Sequence, residues 1–134
     1  MAKIIIDGEG TILGRLASYA AKQALQGNEI IILNSEKIII SGDRKQIIDK
    51  YMTIRKKGGK SRKGPKHSKI SYLIVKKAIR GMVKNYRWGE GREAFKRVMC
   101  YEGVPSEFEK EKKTKIKTNK PLRFIEIKTL SEAL

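Results

Sequence analysis

Residues 3–33 restrict the architecture of this chain more than any other stretch. Lys3–Ile6 (KIII) is a β-branched run that stops at the turn-forming Asp7-Gly8-Glu9-Gly10. From Leu13 the apolar positions change period, recurring at Leu13, Leu16, Ala17, Ala20, Ala21, Ala24 and Leu25. That is one face of a helix, ended by Gly27, which can enter the left-handed conformation. Glu29–Leu33 (EIIIL) is a second continuous apolar run of strand length. A strand, a helix and a strand in this order form a βαβ unit, expected to be parallel and right-handed.

Beyond this unit the pattern is less regular. Lys37–Ser41 (KIIIS) reads as a third short extended piece, and Asp43 is placed to cap a helix over Arg44–Tyr51 with Ile47, Ile48 and Tyr51 inward. Ser71 is expected to cap a helix whose inner face is Ile74, Val75, Ala78, Ile79 and Met82. A further helix is expected over Glu90–Val98, burying Ala94, Phe95 and Val98; Met99–Tyr101 either continues it or forms a strand. Gly103-Val104-Pro105 ends that region, and a charged excursion occupies about 106–121. Leu122–Lys128 (LRFIEIK) alternates as a strand does, and Ser131 opens a final helical turn. There is no internal repeat, so 1–134 reads as a single domain, a length sufficient for its own core.

The charge is unevenly distributed. The chain carries a formal +17, yet residues 1–50 hold seven basic and six acidic side chains while residues 51–101 hold sixteen and two. Within that middle third, residues 55–69 read RKKGGKSRKGPKHSK, with Arg55, Lys56, Lys57, Lys60, Arg62, Lys63, Lys66 and Lys69 basic, His67 among them, and no acid. Eight like charges in a loop at about 53–70 repel one another unless a polyanion neutralises them. Gly58, Gly59 and Gly64 allow close backbone approach. The following helix adds Lys76, Lys77, Arg80 and Lys84, and Asn85-Tyr86-Arg87-Trp88-Gly89 sets aromatics among cations. These can stack on bases or pack on ribose, although Trp88 is also large enough to be partly core. The distribution points to nucleic acid.

Other chemistries find weaker support. Gly8-Glu9-Gly10-Thr11-Ile12-Leu13-Gly14 sits between a strand and a helix, where a glycine-rich loop can cradle a pyrophosphate. Its spacing is one residue longer than the dinucleotide fingerprint, and the second strand ends in Asn34-Ser35 rather than an acid. A tight turn with close helix packing is the favoured reading. His67 is the only histidine and Cys100 the only cysteine, so neither zinc spacing nor a disulfide framework is present. No apolar run reaches membrane-spanning length and the start lacks a signal-peptide pattern, so a cytoplasmic protein is expected, with no cofactor, metal, membrane or small-molecule substrate.

Several motifs in order resemble one family: ILGRLAS (Ile12–Ser18), LNSEKIIISG (Leu33–Gly42), GPKHS (Gly64–Ser68), IRGMV (Ile79–Val83) and GREAFKRVMCYEGVP (Gly91–Pro105). Together they resemble the uL13 (L13) ribosomal proteins over nearly the whole chain. GPKHS and the closing FIEIKTLSEAL look like the archaeal and eukaryotic branch. One departure is Lys84, where members commonly carry proline. The resemblance implies a three-layer α/β/α sandwich around a mostly parallel sheet. It also implies a non-catalytic constituent of the large ribosomal subunit, binding large-subunit rRNA early in assembly beside neighbouring ribosomal proteins. Under it Arg15, Arg44, Lys45 and Arg92 join the cations of the middle third as candidate RNA contacts.

Overall fold

The computed structural model of the chain describes residues 2–57, 68–116 and 119–134. The expected βαβ unit is present as β1 (Lys3–Asp7), α1 (Leu13–Leu25) and β2 (Glu29–Leu33). β1 and β2 pair in parallel, Ile4 opposite Ile30 and Ile6 opposite Ile32. β4 (Val98–Cys100) adds to the other side of β2, also parallel, giving the order β1-β2-β4. Of Met99–Tyr101, which the sequence leaves open between helix and strand, Met99 and Cys100 are strand. Val98, Met99 and Cys100 alternate buried, exposed and buried, the period of a strand. Val98 therefore belongs to the sheet and not to the preceding helix, α4 (Gly89–Lys96).

One face of the sheet carries the main core. Ile6, Ile30 and Ile32 meet the alanine stripe of α1, Ile74, Val75 and Ile79 of α3 (Ser71–Met82), and Ala94 of α4. Full burial of each isoleucine contributes roughly 1.5–3 kcal/mol. On the opposite face Ile5, Ile31 and Leu33 pack with Phe108, from the short helical turn Ser106–Phe108. The Lys3 ammonium lies 5.0 Å from the Phe108 ring centre. A second, two-stranded sheet pairs β3 (Ile39–Ser41) antiparallel with β5 (Phe124–Glu126). Ile47 of α2 (Arg44–Lys56) and Leu130 of α5 (Ile127–Ala133) cover Ile125 there. The result is a mixed α/β sandwich about a parallel sheet.

Several local expectations are corrected by tertiary packing. Leu25 is 43% exposed, because at 100° per residue it lies about 120° round the helix from Leu13, whereas Ala24 lies about 20° away. Ser71 does not cap α3. It is the first helical residue after Ile70, and its hydroxyl bonds to the Glu102 carboxylate. Met82 is exposed; the inward position passes to Val83, whose extended backbone turns its side chain into the core. Phe95 is only half-buried, with the Lys76 ammonium 5.4 Å from its ring centre. Lys37 closes the turn Ser35–Lys37, and the strand starts at Ile39. α2 runs on past Tyr51 to Lys56, so Arg55 and Lys56 are helical rather than in a loop. Ile127 and Lys128 leave the strand for α5, which already includes Ser131. Finally, the charged excursion is anchored: Phe108 is buried, and Thr114 exchanges main-chain bonds of 2.7 and 3.0 Å with Ile5 and Asp7 of β1.

Candidate nucleic-acid interface

The glycine turn after β1 is occupied by its own backbone. The Gly8 amide donates to Leu33 at 3.0 Å, Gly10 to Lys37 at 3.1 Å and Thr11 back to Gly8 at 3.1 Å. The Glu9 amide donates to the Asp7 carboxylate at 3.1 Å. These donors are therefore committed before any pyrophosphate arrives. Glycine is needed at position 8 for a packing reason, since a Cβ there would sit 2.7 Å from Ile38 Cγ1. Cys100 is likewise unsuited to nucleophilic chemistry: burial pushes its thiol up to about 12.

The basic side chains are distributed over several elements. Arg15 is exposed in the first turn of α1. Arg44 and Lys45 are exposed in the first turn of α2, behind Asp43, whose carboxylate accepts from the Lys45 amide at 3.0 Å. Arg44 also lines a cleft of about 310 Å3 with Leu122, Arg123 and Phe124. Arg55, Lys56 and Lys57 are exposed at the end of α2, and Lys69 is exposed just before α3. Lys60, Arg62, Lys63, Lys66 and His67 lie outside the described residues.

Ion pairs join Lys37 to Glu9, Lys96 to Glu93 and Arg123 to Asp43. Among the described residues, Arg15, Arg44, Lys45, Lys56, Lys57, Lys69, Lys84 and Arg92 have no such carboxylate partner. The first turns of α1, α2 and α3 contain no acid either. Asp43 caps the start of α2, however, and the Glu102 carboxylate meets Ser71 at the start of α3. It is therefore at the start of α1, beside Arg15, that the partial positive charge is left for an anion.

Around α3 the cations are organised rather than merely crowded. Lys76, Lys77 and Arg80 are half-buried, their stems lying along the protein. Burial, then the neighbouring Arg80 charge, lowers the Lys77 pKa. The Arg80 guanidinium lies 4.9 Å and that of Arg87 5.5 Å from the Tyr86 ring centre. Arg87 Nε also donates to Tyr86 Oη at 3.2 Å. That bond first, and the surrounding cations second, lower the Tyr86 pKa. Tyr86 thus fixes two arginines that lie on opposite sides of a turn. Its neighbour Arg87 was visible in the sequence, whereas the reach back to Arg80 exists only after folding.

α3 stops without proline. Val83 takes φ −85° and ψ 124°, Asn85 a left-handed φ of 53°, and the Trp88 amide closes the turn on the Asn85 carbonyl at 3.2 Å. The turn rests directly on α4 at Gly91, where a Cβ would overlap the Lys84 carbonyl oxygen. Lys84, Arg87, Trp88 and Arg92 all project outward, Trp88 with 65% exposure, so the indole is not core.

Comparison with known proteins gives a consistent picture. Residues 2–107 match the family model described as Ribosomal protein L13. The large ribosomal subunit protein uL13 of Methanocaldococcus jannaschii is 41% identical over 133 residues, covering 97% of this chain and 96% of the relative. That of Thermoplasma volcanium is 38% identical with the same coverage. That of Methanosarcina barkeri is 45% identical over 104 residues, 77% of this chain and 73% of its own. These archaeal relatives and the family model agree with the motifs from Ile12 to Pro105: the chain belongs to the ribosomal protein L13 family.

Proposed function

We propose that this chain is a structural, non-catalytic constituent of the large ribosomal subunit that binds and stabilises folded large-subunit rRNA, entering early in assembly. The observation that carries the reading is the sixteen-to-two excess of basic over acidic side chains in residues 51–101. It is supported by the exposed cations without carboxylate partners, among the described residues, at the end of α2 and around the turn from α3 to α4. A rigid α/β body holds these groups at fixed separations, and packed RNA brings phosphates from several strands within their reach. Cations distributed over such a junction offset phosphate repulsion, and the geometry of the junction, more than base identity, selects the site. The partners are rRNA and adjacent large-subunit proteins, in the cytoplasm.

Sedimentation of a cell extract in high salt tests the reading: the chain is expected to travel with the large subunit. With about eight phosphates neutralised, log affinity for an rRNA fragment should fall against log salt with a slope of roughly −6 to −7. Absence from the particle, or equal affinity for duplex DNA at physiological salt, would overturn it.

A further inference from the structure

Charge neutralisation leaves the exposed Trp88 and the cleft beside it without a role. Leu25, Lys84, Asn85, Trp88, Glu90 and Gly91 line a cleft of about 440 Å3, inside the ~300–1,000 Å3 typical of small-ligand sites. Its two large apolar walls are open to water, Trp88 at 65% and Leu25 at 43%. Its shape is set by backbone. Asn85 and Gly89 both take positive φ, and Gly91 admits the Lys84 carbonyl at a distance no other residue allows. The indole is therefore mounted on a pre-organised turn.

A flat aromatic surface, a hydrocarbon wall, a cation and a carboxylate are the groups that recognise one unpaired base. We propose that this cleft takes a single extruded nucleobase of the bound RNA. The base stacks on the Trp88 indole, its phosphate pairs with Lys84, and its Watson–Crick edge meets Glu90. A carboxylate only accepts hydrogen bonds. Guanine, whose edge presents two neighbouring N–H donors, is therefore preferred over uracil, whose single N–H is flanked by carbonyls. An apolar side chain of a neighbouring protein would also fit the walls, but the cationic setting of residues 51–101 favours RNA. The inference rests on the rRNA-binding reading above.

Trp88 is the only tryptophan, so its emission reports on this cleft alone. The full chain would be titrated at low salt with UUUGUUU, UUUUUUU and a heptamer carrying an abasic centre. The guanine heptamer is expected to quench Trp88 and bind most tightly, and the abasic one to bind with little quenching. By anisotropy of a labelled guanine heptamer, Trp88→Ala should weaken binding roughly 5- to 150-fold, the range for one base stacked on an aromatic side chain. Its circular dichroism should be unchanged, and Glu90→Gln should erase the guanine preference. Equal quenching by the abasic heptamer, no quenching up to millimolar RNA, or unchanged affinity in Trp88→Ala would overturn the proposal. Loss of the parent reading looks different: the native chain would fail to bind a large-subunit rRNA fragment at all. Retained rRNA binding with an unquenched Trp88 overturns the base site alone.

Discussion

Arg55, in the last turn of α2, donates from Nη1 to the main-chain oxygen of Leu134 at 3.0 Å. On the other flank of residues 58–67, Ser131 of α5 donates from Oγ to the Lys69 carbonyl at 2.5 Å. α5 and the residue that follows it, Leu134, thus contact the chain on both sides of the most basic segment. Arg55→Lys combined with Ser131→Ala should lower stability by ~1–3 kcal/mol, two ordinary hydrogen bonds. Because the net charge is kept, any accompanying loss of rRNA affinity reports lost positioning. Unaltered thermal midpoint and affinity would show that these contacts do not hold the flanks.

Neutralising Lys56, Lys57, Arg62 and Lys63 together should leave the circular dichroism spectrum intact and flatten the salt dependence of rRNA binding. Four fewer phosphate contacts reduce the slope by about 3. A salt titration that superimposes on that of the native chain would count against these cations as contacts.

Three glycines should respond in different directions. Gly91→Ala drives a Cβ into the Lys84 carbonyl oxygen, and overpacking against backbone costs about 1–3 kcal/mol or more. Gly8→Ala meets Cγ1 of the fully buried Ile38 at 2.7 Å and the Leu33 carbonyl oxygen at 3.0 Å. It too should destabilise, by less than Gly91→Ala because its backbone contact is the longer one. At Gly81, in α3, an added methyl group would find nothing within 4 Å, and Gly81→Ala should stabilise by up to ~1 kcal/mol. Chemical denaturation of the three variants checks the order.

Alkaline titration should separate Tyr86 from Tyr51. The Arg87 hydrogen bond lowers the Tyr86 pKa and burial raises that of Tyr51, so Tyr86 ionises ahead of Tyr51. Arg87→Ala should remove the early step in absorbance at long ultraviolet wavelength. A single unresolved titration in the native chain would contradict the contact.

Cys100 should resist thiol reagents at pH 8 in the native protein and react fully in denaturant. Its thiol moves from an ordinary value of 9.0 to about 12 through burial. The folded state therefore keeps a proton that the unfolded chain releases. That stability is complete below pH 9.0 and is lost as pH rises towards about 12. Rapid native labelling at pH 8 would show the thiol to be accessible.

The βαβ unit was legible because its signals are local. Consecutive β-branched residues and a 3.6-residue stripe specify strand and helix from near neighbours, and Gly27, at φ 97°, ends α1 as expected. The Asp43 cap was legible for the same reason. Positions at element ends were not. Periodicity places Val98 in a helix and Leu25 in a core, because it cannot say where a partner strand or helix runs out. The middle-third cations could be named as candidates from like-charge clustering, but Tyr86 as the link between Arg80 and Arg87 could not.

The sequence alone determined the strand–helix–strand start and the place where positive charge accumulates, since both depend on residues adjacent in the chain. Tertiary structure decided that Val98–Cys100 is a third parallel strand, that the Gly8–Thr11 amides are already bonded, and that Trp88 faces outward. Those outcomes depend on groups brought together from distant parts of the chain, where backbone pairing and the limited room beneath Gly8 and Gly91 fix what each side chain can reach.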